Sequence, residues 1–140
     1  MATDHAGFEY KAHLVQKLKA EYDVIDLGPS DSTSVDYPDF ANLVAIQLKN
    51  SPEAMGILIC GSGQGMALRA NKYPHIRAAL VYSDETAKLS REHNDANVIC
   101  LGSRFCSLSE ALKWTDLFLK TPFAGGRHQS RVAKIGSDIS

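Results

Sequence analysis

Met55-Gly-Ile-Leu-Ile-Cys60 is a near-continuous apolar run, and Gly61-Ser-Gly-Gln-Gly65 follows it directly. A strand that is apolar at every position is buried on both faces, as in the middle of a parallel sheet. Ile76-Arg-Ala-Ala-Leu-Val81 and Asn97-Val-Ile-Cys-Leu101 read the same way. Asp23-Val-Ile-Asp-Leu27, stopped by Gly28-Pro29, reads as a further strand, and a first strand ends at Asp4-His5. Amphipathic stripes lie between these runs. Phe8, Ala12, Val15, Leu18 and Tyr22 share one helical face; Phe40, Leu43, Val44 and Leu48 share another. A third stripe, Leu108, Ala111, Leu112, Thr115, Phe118 and Leu119, opens with the capping box Ser107-Leu-Ser-Glu110, and Trp114 packs beside it. A last helix is expected after Gly125-Gly126, with Val132, Ile135 and Ile139 inward. Alternating β and α elements predict an α/β fold: a three-layer, doubly wound, Rossmann-like sandwich around a five-stranded parallel sheet, closed by a C-terminal helix.

The chain has 140 residues, enough for one domain over 1–140 with a sizeable core. At 44% hydrophobic and 22% charged its composition is that of an ordinary globular protein. No apolar run approaches the ~20 residues of a membrane span, and the N-terminus lacks a signal-peptide pattern. Three cysteines without a CxxC pair argue against a disulfide framework or a zinc site, so the cytoplasm is the expected compartment. A net charge of -1 excludes general binding to nucleic acid or to an anionic membrane surface. The distribution is uneven: residues 1–60 hold nine acids and four lysines, residues 61–140 eleven basic and seven acidic residues. All six arginines lie in the second part. Either they gather into a local anion site or they are scattered, solvated side chains.

In doubly wound folds ligands bind beyond the carboxyl ends of the strands. Cys60-Gly-Ser-Gly-Gln-Gly65 occupies such a place, ahead of a helix expected from Met66 to Asn71. Its alternating glycines let backbone N–H groups face negative charge. It is not G-x-G-x-x-G, lacks the Gly-Lys-Ser/Thr of a Walker loop, and has no arginine where a cysteine phosphatase needs one. It therefore reads as a cradle for some other anion, with a tight structural turn as the alternative. Amide dipoles beside Cys60 favour a thiolate there, whereas Cys100 and Cys106 read as small core hydrophobes. His93 sits in Arg91-Glu-His-Asn-Asp-Ala-Asn97, either as part of a helix cap and turn or as one wall of a site. His5 stands at the ligand-facing rim; His13 and His75 read as solvated, and spacing assigns His128 no role. No histidine pair has metal-ligand spacing, so no metal is expected. Arg127 and Arg131 are four apart on one face of the last helix, with no acid between Lys120 and Lys134, a pattern suited to a phosphate.

Together these residues resemble the B-type ribose-5-phosphate isomerases and the related galactose-6-phosphate isomerase subunits. The matching pieces, in family order along the whole chain, are Asp4-His-Ala-Gly7, Asp36-Tyr-Pro38, Gly56 through Gly65, Ala70-Asn-Lys72, Ser90 through Val98, Gly102-Ser-Arg104 and Gly125-Gly-Arg-His-Gln-Ser-Arg131. The resemblance implies a metal- and cofactor-free interconversion of ribose 5-phosphate and ribulose 5-phosphate through an enediolate. It makes Cys60 the base and His93 the group assisting ring opening, with Ser62 able to relay a proton. It lines the sugar with Asp4, His5, Tyr37, Gly61, Ser62, Gly63, Gln64, Gly65 and Asn94, and gives the phosphate to Arg104, Arg127 and Arg131 with help from His5. A homodimer or homotetramer is implied, its site shared between subunits, with His93, Asn94 and Arg104 serving the partner's pocket. One branch of the family carries a glutamate further along the loop; Cys60 assigns this chain to the cysteine branch. Relatives begin with a longer first strand, whereas only Met1-Ala-Thr3 precede Asp4, so a misassigned or truncated start is expected, with fewer ladder bonds beside Asp4 and His5. Two further readings stand: an isomerase of allose or galactose 6-phosphate, and a non-catalytic, flavodoxin-like module holding a sugar phosphate or nucleotide.

Overall fold

The computed structural model describes residues 1–138. Four parallel strands, β1 (Ala2–Thr3), β2 (Gly56–Cys60), β3 (Ala78–Leu80) and β4 (Val98–Gly102), form one sheet in the order β1-β2-β4-β3. The two central strands, β2 and β4, are buried at all five positions, as their unbroken apolar sequence requires. Alternation along β2 divides the core. Leu58 and Cys60 point toward α2 (Tyr37–Asn50) and α3 (Gln64–Ala70). Ile57 and Ile59 point toward α1 (Phe8–Leu18), α4 (Asp84–Glu92) and α5 (Leu108–Lys120). Helices cover both faces, so the three-layer, doubly wound arrangement stands.

The expected fifth strand does not form. The segment around Asp23–Leu27 does run beside β1, with Leu27 N–H donating to Met1 O at 2.8 Å and Thr3 N–H to Gly28 O at 3.1 Å. A regular parallel ladder would return the second bond to Leu27, so the register slips by one residue, at a glycine with φ of 101°. β1 offers only two residues to absorb that slip.

Two helical stripes are rotated from expectation. On α1 the buried residues are Lys11, Leu14 and Leu18, while Ala12 is exposed and Tyr22 lies past the helix end. Lys11 tolerates burial because its ammonium meets Asp26 at 2.8 Å and donates to Pro29 O. On α2, Leu43 faces solvent and Ala41 and Ala45 take its place in the core. α5 matches its stripe: Ala111, Thr115 and Phe118 are buried, Trp114 packs with them and its Nε1–H reaches Asp84 at 2.8 Å. The last helix, α6 (Gln129–Ile135), buries none of its residues. Val132 is half-buried and Ile135 is 54% exposed, because α6 lies outside both helical layers; Ile139 falls outside the described residues. No helix is long and apolar enough to cross a membrane among the described residues.

Candidate active site

The site residues fall into two groups at opposite ends of the sheet. The first group gathers at the carboxyl ends of β1, β2 and β4. β1 runs directly into Asp4, whose N–H donates to Ile59 O at 3.1 Å and whose side chain is buried. Its carboxylate caps the short 3-10 turn His5–Gly7, accepting from Ala6 N–H at 2.9 Å and Gly7 N–H at 3.3 Å. That turn leaves His5 on the open rim, its Nδ1 accepting from Val35 N–H at 3.3 Å.

Cys60 ends β2 at 5% exposure, and the chain then doubles back so that Gly63 N–H donates to Cys60 Sγ at 3.1 Å. The return needs φ of 76° at Gly63, where a Cβ would stand 2.9 Å from the Leu101 carbonyl carbon. Ser62 Oγ accepts from Gln64 N–H at 3.3 Å, and α3 begins at Gln64, two residues before the expected start. Tyr37, first residue of α2, lays its ring against Gly65, where a Cβ would be 2.5 Å from the ring. The segment after β4 rides on the same loop: Ser103 N–H donates to Cys60 O at 2.9 Å and Arg104 N–H to Gly61 O at 3.0 Å. The Arg104 guanidinium covers Gly61, 3.2 Å from where a Cβ would sit. Arg104 therefore stands over the glycine loop of its own chain, held there by the backbone pairing of residues 103–104 with that loop. A cleft of about 210 Å³ lies alongside, lined by Ser62, Gln64, Tyr82 and Phe105 among others.

The second group lies at the amino end of β4. His93 follows α4, its N–H donating to Leu89 O at 3.0 Å, and Asn94 is exposed. Asp95 turns the chain with φ of 45° and is gripped by Arg91 at 2.9 Å and Arg77 at 3.4 Å. Arg91 is buried. It also donates to Ala96 O at 2.6 Å and, through Nε, to Thr121 O at 3.1 Å, tying this turn to the end of α5. A second tie, Ala124 N–H to Glu92 O at 3.1 Å, brings the Gly125–Arg131 segment alongside. Arg127 lies in a 3-10 turn, Gly126–His128, and Arg131 in α6, so they do not share one regular helix. Between them His128 stacks on His93, ring centroids 4.2 Å apart and planes 16° off parallel. Desolvation holds the His128 imidazole below the usual histidine range, and the charges of His93, Arg127 and Arg131 add to it.

Sequence reasoning missed Arg91 and His128 as organisers of this end. The only signal was their nearness to His93 and Arg127, since the contacts join segments about thirty residues apart. His75, read as solvated, is half-buried with Nε2 2.8 Å from Ala45 O. Burial pushes the Cys100 thiol up, and Cys60 adds to it, which agrees with a structural role. Among the described residues no three His, Cys, Asp or Glu side chains converge as a metal site.

Known proteins share this chain's sequence and fold. The sequence model of the Ribose/Galactose Isomerase family matches residues 1–135. A probable ribose-5-phosphate isomerase B of Mycoplasma genitalium is 50% identical over 138 residues, covering 96% of this chain and 91% of that protein. The crystal structure of ribose-5-phosphate isomerase B from the same organism, with bound ribulose-5-phosphate, superposes with a TM-score of 0.92 over 96% of this chain and 90% of that one. The Clostridium thermocellum ribose-5-phosphate isomerase B gives 0.92 at 48% identity, covering 96% of this chain and 92% of that one. A match this long, at this identity and with the same fold, means that the chain belongs to the ribose/galactose isomerase family.

Proposed function

We propose that this protein interconverts ribose 5-phosphate and ribulose 5-phosphate, with Cys60 as the proton-transferring base. The observation that carries the reading is the sulfur of Cys60 at the sheet's carboxyl edge, held by the Gly63 N–H at 3.1 Å, with the Arg104 guanidinium over Gly61 and the Tyr37 ring against Gly65 of the same loop. The relative crystallised with ribulose-5-phosphate supports the choice of substrate.

The chemistry has two stages. Opening the furanose breaks the bond between C1 and the ring oxygen, with the electron pair going to oxygen, and forms the C1 aldehyde. His93 gives a proton to the ring oxygen, and the proton leaving the C1 hydroxyl restores it through solvent. Cys60 thiolate then takes the C2 proton, leaving an enediolate whose oxyanion faces the glycine-loop N–H groups. Ser62 passes the O2 proton to O1, and Cys60 returns its proton to C1. Asp4, His5, Tyr37, the loop from Gly61 to Gly65 and Asn94 line the sugar; Arg104, Arg127 and Arg131 hold the phosphate.

One chain does not bring these groups together. Cys60 aligns with Gly102 at the end of β4, and His93 precedes its start at Val98. Four strand steps of about 3.3 Å put at least ~13 Å between the two ends. The site is therefore built from two copies: Cys60 with Arg104 from one, and His93, Asn94, Arg127 and Arg131 from the other. The three cysteines are free thiols, in keeping with the cytoplasm as the compartment.

A coupled isomerase assay of wild type and Cys60→Ala on ribose 5-phosphate and allose 6-phosphate tests the reading. Turnover of the pentose that vanishes in Cys60→Ala is expected. Higher kcat/KM on the hexose would move the substrate to six carbons, and phosphate protection of the thermal melt without any turnover would make the protein a binding module.

A further inference from the structure

We propose that His128 is a positioning residue for ring opening: stacked on His93, it fixes the plane of the imidazole that protonates the furanose oxygen. The proposal rests on the ring-opening role given to His93 above. A histidine ring turns about a broad, roughly two-fold torsion, so backbone placement alone does not aim its nitrogens. Among the described residues no hydrogen bond holds the His93 ring; what meets its face is His128, at 4.2 Å between centroids and 16° between planes.

The stack is built rather than incidental. His93 is fixed by its N–H to Leu89 O at 3.0 Å, and Asp95 just beyond it by Arg91 and Arg77. His128 is fixed by its N–H to Gly125 O at 3.1 Å, in a turn entered through φ values of 65° and 56° at Gly125 and Gly126. The bonds from Ala124 to Glu92 and from Arg91 to Thr121 hold the two backbones at one spacing. Arg91, Glu92 and Asp95 on the α4 side and Arg127 and Arg131 on the other are the charged groups around the pair. Asp95 is taken up by Arg77 and Arg91, and Arg127 and Arg131 flank the His128 ring. Two stacked imidazolium ions are disfavoured there, and His128 is the ring held below the usual range.

Misdirecting a general acid by about 1 Å costs roughly 10²-fold. The loss falls on one direction only. Ribose 5-phosphate enters as a furanose, whereas ribulose 5-phosphate, with its C5 oxygen esterified, has no furanose form to open. In His128→Ala, kcat with saturating ribose 5-phosphate should fall roughly 10²-fold, with KM falling in parallel because the closed sugar occupies the site unproductively. With saturating ribulose 5-phosphate, kcat should stay within about three-fold. His128→Phe keeps a flat ring on His93 and should restore the ribose direction to within about five-fold of wild type. His93→Ala should show the same one-sided loss. If His93→Ala shows no such bias, the ring-opening reading of His93 falls. If His93→Ala shows it and His128→Ala does not, or if Phe is as defective as Ala, the positioning proposal is overturned. An equal loss in both directions with raised KM would also overturn it, making His128 a support for the phosphate arginines.

Discussion

The separation of Cys60 from His93 gives the most demanding prediction, because it turns a distance into a number of active sites. Cys60 pairs in register with the last residue of β4, and His93 stands five residues ahead of the first. A base acting at C2 and an acid acting at the ring oxygen must each come within hydrogen-bond reach of one sugar. With ~13 Å of strand between them within a chain, the proposed site joins them across a two-fold interface, where each copy would give Cys60 to one site and His93 to the other. Cys60→Ala and His93→Ala are each expected to be nearly inactive on saturating ribose 5-phosphate. When they are mixed in equal amounts, dissociated and reassociated, about half of the pairs are mixed, and each mixed pair has one site with both native residues. Activity should therefore rise to about one quarter of wild type. The assay is the coupled isomerase rate before and after subunit exchange, with exchange followed by native mass spectrometry. A mixture that exchanges fully but stays at the mean of its two parents would refute the two-copy site and return both residues to one chain.

Three other perturbations follow from the geometry. Gly65→Ala would push its new methyl into the exposed Tyr37 ring, 2.5 Å away; the ring can swing aside, so stability should change by less than about 0.5 kcal/mol while KM rises several-fold. Unchanged kinetics would remove Tyr37 from the sugar pocket. Arg91→Met loses bonds to Asp95, Ala96 O and Thr121 O from a buried position, so it should cost roughly 2–3 kcal/mol by urea unfolding and lower kcat on ribose 5-phosphate; no loss of stability would contradict the role of Arg91 as a tie. Burial raises the Asp26 carboxyl, but the Lys11 ammonium and the Gly28 N–H outweigh it, and its net shift is downward. Its contribution is thus present above the ordinary carboxylate range and lost as pH falls through its lower folded value. Asp26→Asn should be destabilised by about 1 kcal/mol at neutral pH, and the gap should narrow steadily below about pH 4; a gap constant down to pH 3 would contradict this.

What the sequence disclosed depended on how local the cause was. The run from Gly56 to Cys60 and the loop after it were legible because burial on both faces and a reversal at Gly63 leave local marks: unbroken apolar residues and spaced glycines. The capping box at Ser107 was legible for the same reason, with Ser107 Oγ accepting from Glu110 N–H at 3.1 Å. Lys11 was not, since only the folded chain brings Asp26 and Pro29 O to its ammonium. The fifth strand failed through a one-residue slip at Gly28 that hydrophobic pattern does not encode. The position of Arg104 over Gly61 was not legible, because the pairing of residues 103–104 with Cys60 and Gly61 is tertiary. The stack of His93 on His128 joins positions 35 apart, and no spacing rule reaches that far.

The central claim, that Cys60 moves the proton, is tested most directly by hydrogen exchange. Wild type incubated with ribulose 5-phosphate in deuterium oxide should introduce deuterium at the migrating position, followed by NMR. Cys60→Ala, melting at the same temperature and still protected by substrate, should introduce none above the buffer rate. Undiminished incorporation by Cys60→Ala would contradict the account and give the proton to another group.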